Sequence, residues 1–440
     1  MAMVVKNNMS AVNTLNTLNK NSSALSKSLQ KVSSGMRINS AADDASGYAI
    51  SERMRVQIRS LDQDNKNTQN GNSMMKVAEG AVSSTVEILK TLKEKVINAA
   101  NDTNTDADRQ TIQKELDQSI DQIDDNANVT YNGKYLVDGS HNSKTTATTT
   151  ALTNQSLSTD TVQGSKITEL KNRSGESLYI HSTDNVTISY VKQGQTYTTT
   201  FSVGTQTFAQ ILARTAYNGT STIAGQLTLN ASKTDVIGTD GSGNTVYTAD
   251  RGCAMTLTAK SSGTDGQIAG FTISITDNTG KINKNANAVL DNFNESIRAQ
   301  NASADNSLVL QTGTKANQAI KVSMTDMRSV ALGLKGTDGT TLNVSTQAKA
   351  NAAINVLDNA LQKALDQQTT IGSIESRLEY TSANLTTASE NVQASESTIR
   401  DADMAKEMTE YTKNNVLLQA AQSMLAQANQ NSSSVLSLLQ

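Results

Sequence analysis

The C-terminal part of the chain carries apolar side chains at a strict seven-residue spacing. The companion position of each heptad begins with Ile354 and Leu361 and then becomes polar. A repeat held this long predicts one extended helix, beginning near Gln347 and about 75 Å long, with a single apolar stripe. Such a helix needs a second long helix along it. The repeat consists of Ala350, Leu357, Ala364, Ile371, Leu378, Leu385, Val392 and Ile399.

A second stripe near the other end of the chain supplies that partner helix. It is followed by a third predicted helix, for which Thr105 is the N-cap and Asp106 and Asp108 are acids in the first turn. The core of an ordinary helical bundle accounts for both stripes, and that interpretation is compatible with a bundle that is itself the functional part. The second stripe consists of Met75, Ala78, Val82, Thr85, Leu89, Leu92, Val96 and Ala99.

The middle of the chain has a different pattern. Asn132-Gly133 between two short β-prone runs predicts a hairpin turn. From about residue 141 the composition shifts to Thr, Ser, Gly and Asn, and short alternating runs are separated by turn clusters, which predicts a β-rich insert. A short helix is expected around Phe208, and another with Val289, Leu290, Phe293 and Ile297 on one face. The alternating runs are Val186-Ile188-Tyr190, Leu227-Leu229, Met255-Leu257 and Phe271-Ile273-Ile275.

Together these patterns predict an α+β multidomain protein. Both chain ends form a long antiparallel coiled-coil helical bundle, and the β-rich insert lies outside it. The predicted segments are an N-terminal helical segment (1–42), a first rod part (43–140), the insert (141–302), a second rod part (303–400) and a C-terminal helix (401–440), with a phase slip of the stripe at Asp401–Asp403.

The two terminal segments indicate a polymer. Their apolar stripes have no neighbour in the local sequence, and their opposite faces are too polar to be buried. Alone, such segments bury too little apolar surface to offset the entropy of ordering. Paired with each other and with other copies of the chain, they would form a coiled-coil core.

Composition excludes several classes of function. The chain has 38 basic and 41 acidic residues, which leaves no electrostatic footprint for nucleic acid or an anionic membrane. Proline is absent, so the commonest helix breaker is missing. The single cysteine, Cys253, cannot form an internal disulfide. No membrane-spanning run and no leader peptide are recognisable, which alone would predict a soluble cytoplasmic protein.

No arrangement of residues indicates catalysis, a cofactor or a metal site. His141 and His181 lie in Ser/Thr-rich loops without companions at ligand spacing, and surface loop positions explain them better. Ser28 and Lys31 match an S-x-x-K pattern, but the other motifs of that enzyme class are missing. The Asp43-Asp44 pair precedes a helix, where acids are favoured by the helix dipole.

Two long motifs resemble the signatures of bacterial flagellin. They are SSGMRINSAADDASGYAISERMRVQIRSLDQ at 33–63 and QAAQSMLAQANQNSSSVLSLLQ at 419–440. The resemblance covers roughly 1–140 and 303–440 and leaves out the insert. It implies a subunit of the flagellar filament, a homopolymer, exported unfolded by the flagellar type III apparatus and located outside the cell. Its implied partners are an export chaperone, the filament cap and the hook-junction proteins.

The resemblance also implies roles for individual residues. Glu52, Arg53, Arg55 and Arg59 are expected to contact neighbouring subunits, and Arg37, Asn39, Asp43 and Asp44 to lie in the spoke between the inner and outer shells. The C-terminal leucines and Val435 are expected to meet the chaperone before export. The residues expected in the inner core are Leu15, Leu18, Leu25, Leu29, Val32, Leu418, Leu425, Val435, Leu436, Leu438 and Leu439.

The resemblance predicts a weak contact with the innate Toll-like receptor. Flagellins that this receptor recognises carry an Arg and a Leu on the first long helix, where this chain has Thr91 and Lys95. Glu115 corresponds to a retained acidic partner. Loss of a bidentate donor and of an apolar contact should weaken docking.

Two alternatives remain open at this point. A hook–filament junction protein shares flagellin-like ends. An adhesin would use the helices only to display the insert to a ligand.

Overall fold

The computed structural model describes residues 8–214, 216–217, 221–222, 227–230, 236–247 and 255–438. Cys253 and Leu439 lie outside the described residues, as do the side chains of Val435, Leu436 and Leu438. Two compact units are present. The terminal unit contains residues 1–68, 311–318 and 380–440, and the central unit contains residues 69–310 and 319–379.

Seven α-helices are described, and two of them are very long. The predicted long helix begins at Gln347, as expected, and ends at Arg400. Its partner runs over 55 residues. The helices are α1 (Met9–Ser34), α2 (Ala45–Ala99), α3 (Asp106–Ala127), α4 (Phe208–Arg214), α5 (Lys284–Leu290), α6 (Gln347–Arg400) and α7 (Met404–Leu438).

Local chemistry explains the ends of the terminal helices. The side chain of Asn8 accepts a hydrogen bond from the Ala11 amide at 3.0 Å and caps the start of α1. Gly35 ends α1 in the left-handed conformation at φ 70°. The predicted phase slip at residues 401–403 is a break between two helices, and Asp403 accepts a hydrogen bond from the Ala405 amide at 3.0 Å.

The core of the central unit confirms the predicted coiled-coil seam. All eight α2 stripe residues from Met75 to Ala99 are buried. The heptad residues of α6 pack against them in one apolar cluster, and α3 adds Leu116, Ile120 and Ile123. The predicted cap of α3 is a capping box, in which Thr105 and Asp108 satisfy each other's backbone amides. The buried heptad residues of α6 in this unit are Ala350, Leu357, Ala364, Ile371 and Leu378.

The turn at Asn132-Gly133 is confirmed, with φ angles of 50° and 75°. It joins β1 (Thr130–Tyr131) to β2 (Lys134–Tyr135). Both residues have the positive φ that a two-residue hairpin needs, and Asn-Gly tolerates it.

The insert is β-rich, as predicted, and consists mainly of two antiparallel sheets. A four-stranded sheet has the order β13-β3-β11-β8, and a three-stranded sheet the order β12-β4-β5. The insert also contains the smaller sheets β6 with β7 and β9 with β10, whereas β14 pairs with β15 after the insert, in the second rod part. The bounds are β3 (Ala151–Asn154), β4 (Asn185–Lys192), β5 (Gln195–Ser202), β6 (Ala216–Tyr217), β7 (Ser221–Thr222), β8 (Leu227–Asn230), β9 (Val236–Thr239), β10 (Thr245–Tyr247), β11 (Met255–Ala259), β12 (Ile268–Thr276), β13 (Asn294–Ile297), β14 (Leu308–Gln311) and β15 (Ala319–Val322).

One predicted element of the insert is wrong in part. The helix expected across Val289 to Ile297 stops at Leu290. Phe293 follows the helix, and Ile297 belongs to β13, which pairs with β3. Pairing with a sheet edge therefore overrode the helical spacing of these apolar residues.

The base of the insert packs on the helical core of the central unit. Val191 and Ala269 belong to the same apolar cluster as α2 and α6. From α6, the side-chain amide of Asn355 donates to the Phe271 carbonyl at 3.2 Å and that of Asn359 to the Ala269 carbonyl at 2.8 Å. The edge of β12 is therefore covered by a helix rather than left open.

Candidate assembly surface of the terminal unit

Helices α1 and α7 pack against each other as a pair, here called the terminal hairpin. They run antiparallel, because the contact residues rise along α1 as they fall along α7. Four side-chain contacts define the register: the amide of Asn8 donates to the Ala428 carbonyl (3.2 Å), that of Asn21 to the Leu417 carbonyl (3.2 Å), that of Asn414 to the Ser28 hydroxyl (3.0 Å), and the Lys31 ammonium pairs with Glu407 (3.4 Å).

The contact seam of the hairpin follows heptad spacing on both helices but is narrow. Among the described residues of the two helices, only Ser28, Ala421 and Ala428 are fully buried. The remaining seam positions are half-buried. The seam consists of Ala11, Thr14, Leu18, Asn21, Leu25, Ser28 and Val32 on α1 and of Tyr411, Asn414, Leu418, Ala421, Leu425 and Ala428 on α7.

The structure divides the predicted inner-core residues into two groups. Leu18, Leu25, Val32, Leu418 and Leu425 lie in the seam. Leu15 and Leu29 instead point away from α7, with 46% and 51% of their surface exposed. On α7 the exposed large apolar residues are Met404, Met408, Val416, Leu417 and Met424. The isolated hairpin therefore leaves much of its apolar surface uncovered.

A short backbone bridge ties the chain between α1 and α2 to the chain between α6 and α7. Met36 and Asp401 form an antiparallel bridge. The Ala402 amide donates to the Gly35 carbonyl at 2.9 Å, and the Arg37 amide donates to the Arg400 carbonyl at 2.7 Å. The Arg37 guanidinium adds a bond of 2.6 Å to the Ile399 carbonyl. Residues 35–38 and 399–402 are here called the junction.

Asn39, Asp43 and Asp44, which were expected in the spoke, shape the local chain. Asp43 accepts hydrogen bonds from the amides of Asn39 and Ser40 at 3.1 and 3.0 Å, and these bonds hold its pKa below the usual range. Asp44 accepts from the Gly47 amide at 3.0 Å and satisfies a free donor in the first turn of α2. Within this chain they contact nearby backbone groups, and Asp43 also accepts from the Ser40 hydroxyl at 3.2 Å.

The residue that organises the junction is Arg400, which no motif or spacing in the sequence singles out. Its buried guanidinium donates to Glu52 at 2.6 Å and to the Ser51 hydroxyl at 3.3 Å, and lies 5.2 Å from the centre of the Tyr48 ring. The bond to Arg400 lowers the pKa of Glu52. The only sequence signal was its position as the last residue before the phase slip.

The other charged residues expected at subunit contacts fall into two classes. Arg55 pairs with Glu396 at 3.1 Å and so has a partner in its own chain, as Glu52 does. Arg53 and Arg59 are exposed, and neither forms an ion pair within the described ranges.

Family models match both ends of the chain that form this unit. The bacterial flagellin N-terminal helical region matches residues 5–142, and the bacterial flagellin C-terminal helical region matches residues 354–439. The chain belongs to the bacterial flagellin family. It is therefore a structural subunit of a flagellar filament.

Similarity extends through the whole of this flagellin. The flagellin of Clostridium tyrobutyricum is 33% identical over 431 residues, which cover 97% of this chain and 99% of that protein. The flagellin of Bacillus subtilis is 30% identical over a stretch that covers 99% of this chain and 100% of that protein. A solved structure of hook-associated protein 3 from Legionella pneumophila covers 78% of this chain and 97% of its own, but its TM-score of 0.33 and identity of 15% are too low to bear on the fold.

The residues expected to face the receptor lie in the central unit of this flagellin. Thr91 is exposed on α2, and its hydroxyl donates to the Glu87 carbonyl of its own helix at 3.1 Å. Lys95 pairs with Glu115 of α3 at 3.0 Å. The two predicted contact residues Lys95 and Glu115 are thus brought together, in an exposed ion pair.

The described residues contain no group of three or more His, Cys, Asp or Glu side chains placed to hold a metal ion. The His141 ring approaches the Asn306 carbonyl at 3.2 Å, and His181 is exposed. In the same part of the chain, no helix has both the length and the apolar character needed to span a bilayer.

We predict that Arg400→Met loosens the junction. The substitution keeps most of the apolar stem but removes the donors to Glu52 and Ser51 and leaves their polar groups without that partner. Hydrogen–deuterium exchange of the monomer should show residues 35–40 exchanging roughly tenfold faster, since a hydrogen bond to a charged group is worth that much. The control is Arg53→Met, which removes an exposed guanidinium on the same helix as Glu52. Equal exchange in the two variants would contradict the role of Arg400.

Acid should also loosen the junction. The folded-state pKa of Glu52 lies below its ordinary value of 4.5, so its contribution is present above that value and is lost as the pH falls through the lowered one. Exchange at residues 35–40, corrected for the intrinsic rate, should accelerate below pH 4.5 in the native chain. Glu52→Gln should show less of this acceleration.

Proposed function

We propose that the terminal hairpin is the polymerising surface of the subunit and that copies of it form the inner core of the filament. The observation that carries the proposal is the outward position of Leu15 and Leu29 together with five exposed apolar residues of α7. These side chains are about half exposed in the monomer. Covering each one fully against neighbouring hairpins would therefore contribute about half of the roughly 1.5–3 kcal/mol that complete burial gives.

The mode of growth depends on which faces meet. We propose that the apolar face of α1 in one hairpin meets that of α7 in the next, and this contact joins unlike surfaces. A contact of this head-to-tail kind grows as a ring or as an open helix, and an open helix is the form of a filament.

The exposed cations of α2 would add polar contacts between subunits. Arg53 and Arg59 are free to meet carboxylates of a neighbour, which keeps them as predicted subunit contacts. Glu52 and Arg55 would have to share their present partners Arg400 and Glu396 with a second chain. We therefore expect Arg53 and Arg59 to matter more for assembly than Glu52 and Arg55.

Export before assembly agrees with the composition. A chain without proline and with one cysteine refolds without slow prolyl isomerisation or disulfide formation. Leu418 and Leu425 contact α1 in the folded chain, so an unfolded chain would expose them, with Val435, Leu436, Leu438 and Leu439, to an export chaperone. The filament cap and the hook-junction proteins would be its partners at the two filament ends. The function is structural rather than catalytic, and its location is extracellular.

The polymerising surface is tested by the double substitution Leu15→Lys and Leu29→Lys. Both side chains are exposed in the monomer, so helix content by circular dichroism should remain unchanged. Seeded polymerisation followed by negative-stain microscopy should give no filaments, because two ammonium groups per subunit would have to be buried in an apolar core.

The matched control is Val162→Lys with Val236→Lys, two exposed apolar positions of the insert. This variant should polymerise like the native chain. Filaments from the Leu15/Leu29 variant, at the native critical concentration, would refute the assignment of the surface.

Excision of the insert separates the filament subunit from the adhesin alternative. Thr145 and Ser303 form an antiparallel bridge, with amide–carbonyl distances of 3.1 and 3.0 Å, so a short Gly-Ser linker can replace residues 146–302. We expect the shortened chain to polymerise, because the terminal hairpin and the α2–α6 seam remain. Electron microscopy that shows no filaments, while circular dichroism shows folded helices, would mean that the insert takes part in polymerisation.

The weak receptor contact is tested by Thr91→Arg with Lys95→Leu. The double substitution restores the bidentate donor and the apolar contact that the resemblance implies, and it frees Glu115 from its ion pair. A reporter-cell assay should show low activation by the native monomer and activation at least about tenfold stronger by the variant. Thr111→Arg, at an exposed position of α3, is the control for added charge. Full potency of the native chain would refute the proposal.

A further inference from the structure

A cavity of about 370 Å³ lies in the central unit, outside the assembly surface. It is lined by residues from the segments 139–145, 299–303 and 323–331, by Ser242 and Thr264 of the insert, and by Lys363 of α6. Small-molecule sites usually measure about 300–1,000 Å³, so this cavity has room for a ligand of monosaccharide size.

The cavity contains an ammonium group without a carboxylate partner. Lys363 donates to the Ala331 carbonyl at 2.8 Å, and no carboxylate lies within 4.0 Å of it among the described residues. An ammonium has three donors, so two remain for other acceptors. Burial lowers the pKa of Lys363. A bound anion would offset this cost of desolvation.

The charged neighbours of Lys363 are already engaged elsewhere. Asp326 attracts the ammonium from a distance but is held by Arg328, with a shortest contact of 2.7 Å. Glu295 also attracts it, and lies 3.6 Å from Arg298. Neither carboxylate lies within 4.0 Å of the lysine, and Arg298 is itself shared with Asp366 at 2.7 Å. The nearby charges therefore balance, and the cavity offers a ligand the two remaining donors of the ammonium rather than an excess of positive charge.

The walls of the cavity suit hydroxyl groups. Asn142, Ser143 and Ser323 line it, and their side chains make no hydrogen bond within the described part of the chain. The neighbouring wall is held in place, because Asn301 donates to the Thr264 hydroxyl at 3.0 Å. Free amide and hydroxyl groups of this kind pair with sugar hydroxyls.

We propose that this cavity binds a sugar acid of monosaccharide size. Its carboxylate would pair with the Lys363 ammonium, and its hydroxyls would pair with Asn142, Ser143 and Ser323. A phosphate fits less well, because it carries nearly two negative charges and the second cation of the cavity, Arg328, is already held by Asp326. The same chemistry occurs in a free sugar acid and at the end of an acidic polysaccharide.

Calorimetric titration of the full-length monomer at low ionic strength tests the proposal. The probes are D-galacturonate and D-galactose, which differ by a carboxylate in place of a hydroxymethyl group. Galacturonate should bind, and galactose should bind at least about tenfold more weakly. A trimer of galacturonate distinguishes a free sugar acid from the end of a polysaccharide. If the trimer binds more tightly than single galacturonate, the natural ligand is a polysaccharide end; if it binds more weakly, the natural ligand is a free sugar acid. No heat with either galacturonate probe, or equal binding of galactose, would overturn the proposal.

Three variants locate the site. Lys363→Met removes the charge and should weaken galacturonate binding at least about tenfold. Ser143→Trp, at an exposed lining position, should block the cavity while leaving the ammonium and the core unchanged. Lys114→Met, on the exposed face of α3, is the matched control and should bind like the native chain. Native affinity in both cavity variants would overturn the assignment, while their polymerisation, which needs only the terminal unit, tests the proposed function separately.

Discussion

The narrow seam between α1 and α7 is the constraint on which assembly depends. Small and polar residues such as Thr14, Ser28 and Ala421 occupy it, so the helices approach closely and bond through Asn21 and Asn414. Seams of this composition specify register, but they bury few methylene groups. Large apolar side chains also lie on the outside of the hairpin, among them Leu15, Leu29 and Met424. Its ordering within one chain is therefore weakly favoured, and in the proposed assembly neighbouring copies would supply the rest.

The seam of the α2–α6 coiled coil is apolar in the central unit and partly polar in the terminal unit. In the central unit the seam is apolar and provides stability. In the terminal unit its companion positions are polar: Ser382 donates to Asn65 at 2.7 Å, and Ser389 to Asp62 at 3.1 Å. Such directional bonds define which residues face each other and contribute less to stability than apolar packing does. Asp64, buried in this stretch without a partner for one oxygen, has a pKa raised by burial, which shows the cost of a polar seam.

Much of the fold was predictable because its signals are periodic and local. The apolar seam from Met75 to Ala99, the break at residues 401–403 and the turn at Asn132-Gly133 each follow from spacing or from turn chemistry. Which leucines of α1 lie in the seam and which are exposed was not predictable. Leu15 and Leu18 both belong to the apolar pattern of the sequence, and only the position of α7 decides which one faces the seam. Arg400 was missed for the same reason, since its three partners are 348 or more residues away in the chain. The cavity at Lys363 likewise joins segments that carry no common motif.

The order in which contacts form also follows from these separations. The bond between Ser28 and Asn414 joins residues 386 positions apart, and closing so long a loop is entropically unfavourable. Once Glu52 has met Arg400, the same bond closes a loop of roughly forty residues, which lowers the closure cost by about 2 kcal/mol. Closing either contact first costs nearly the same, and the α2–α6 pair has the larger apolar seam to offset that cost. We therefore expect the terminal hairpin to form after the α2–α6 pair. Because the hairpin needs α7, a subunit truncated before α7 cannot form it, and under the proposed function only complete subunits would offer the full surface to the polymer.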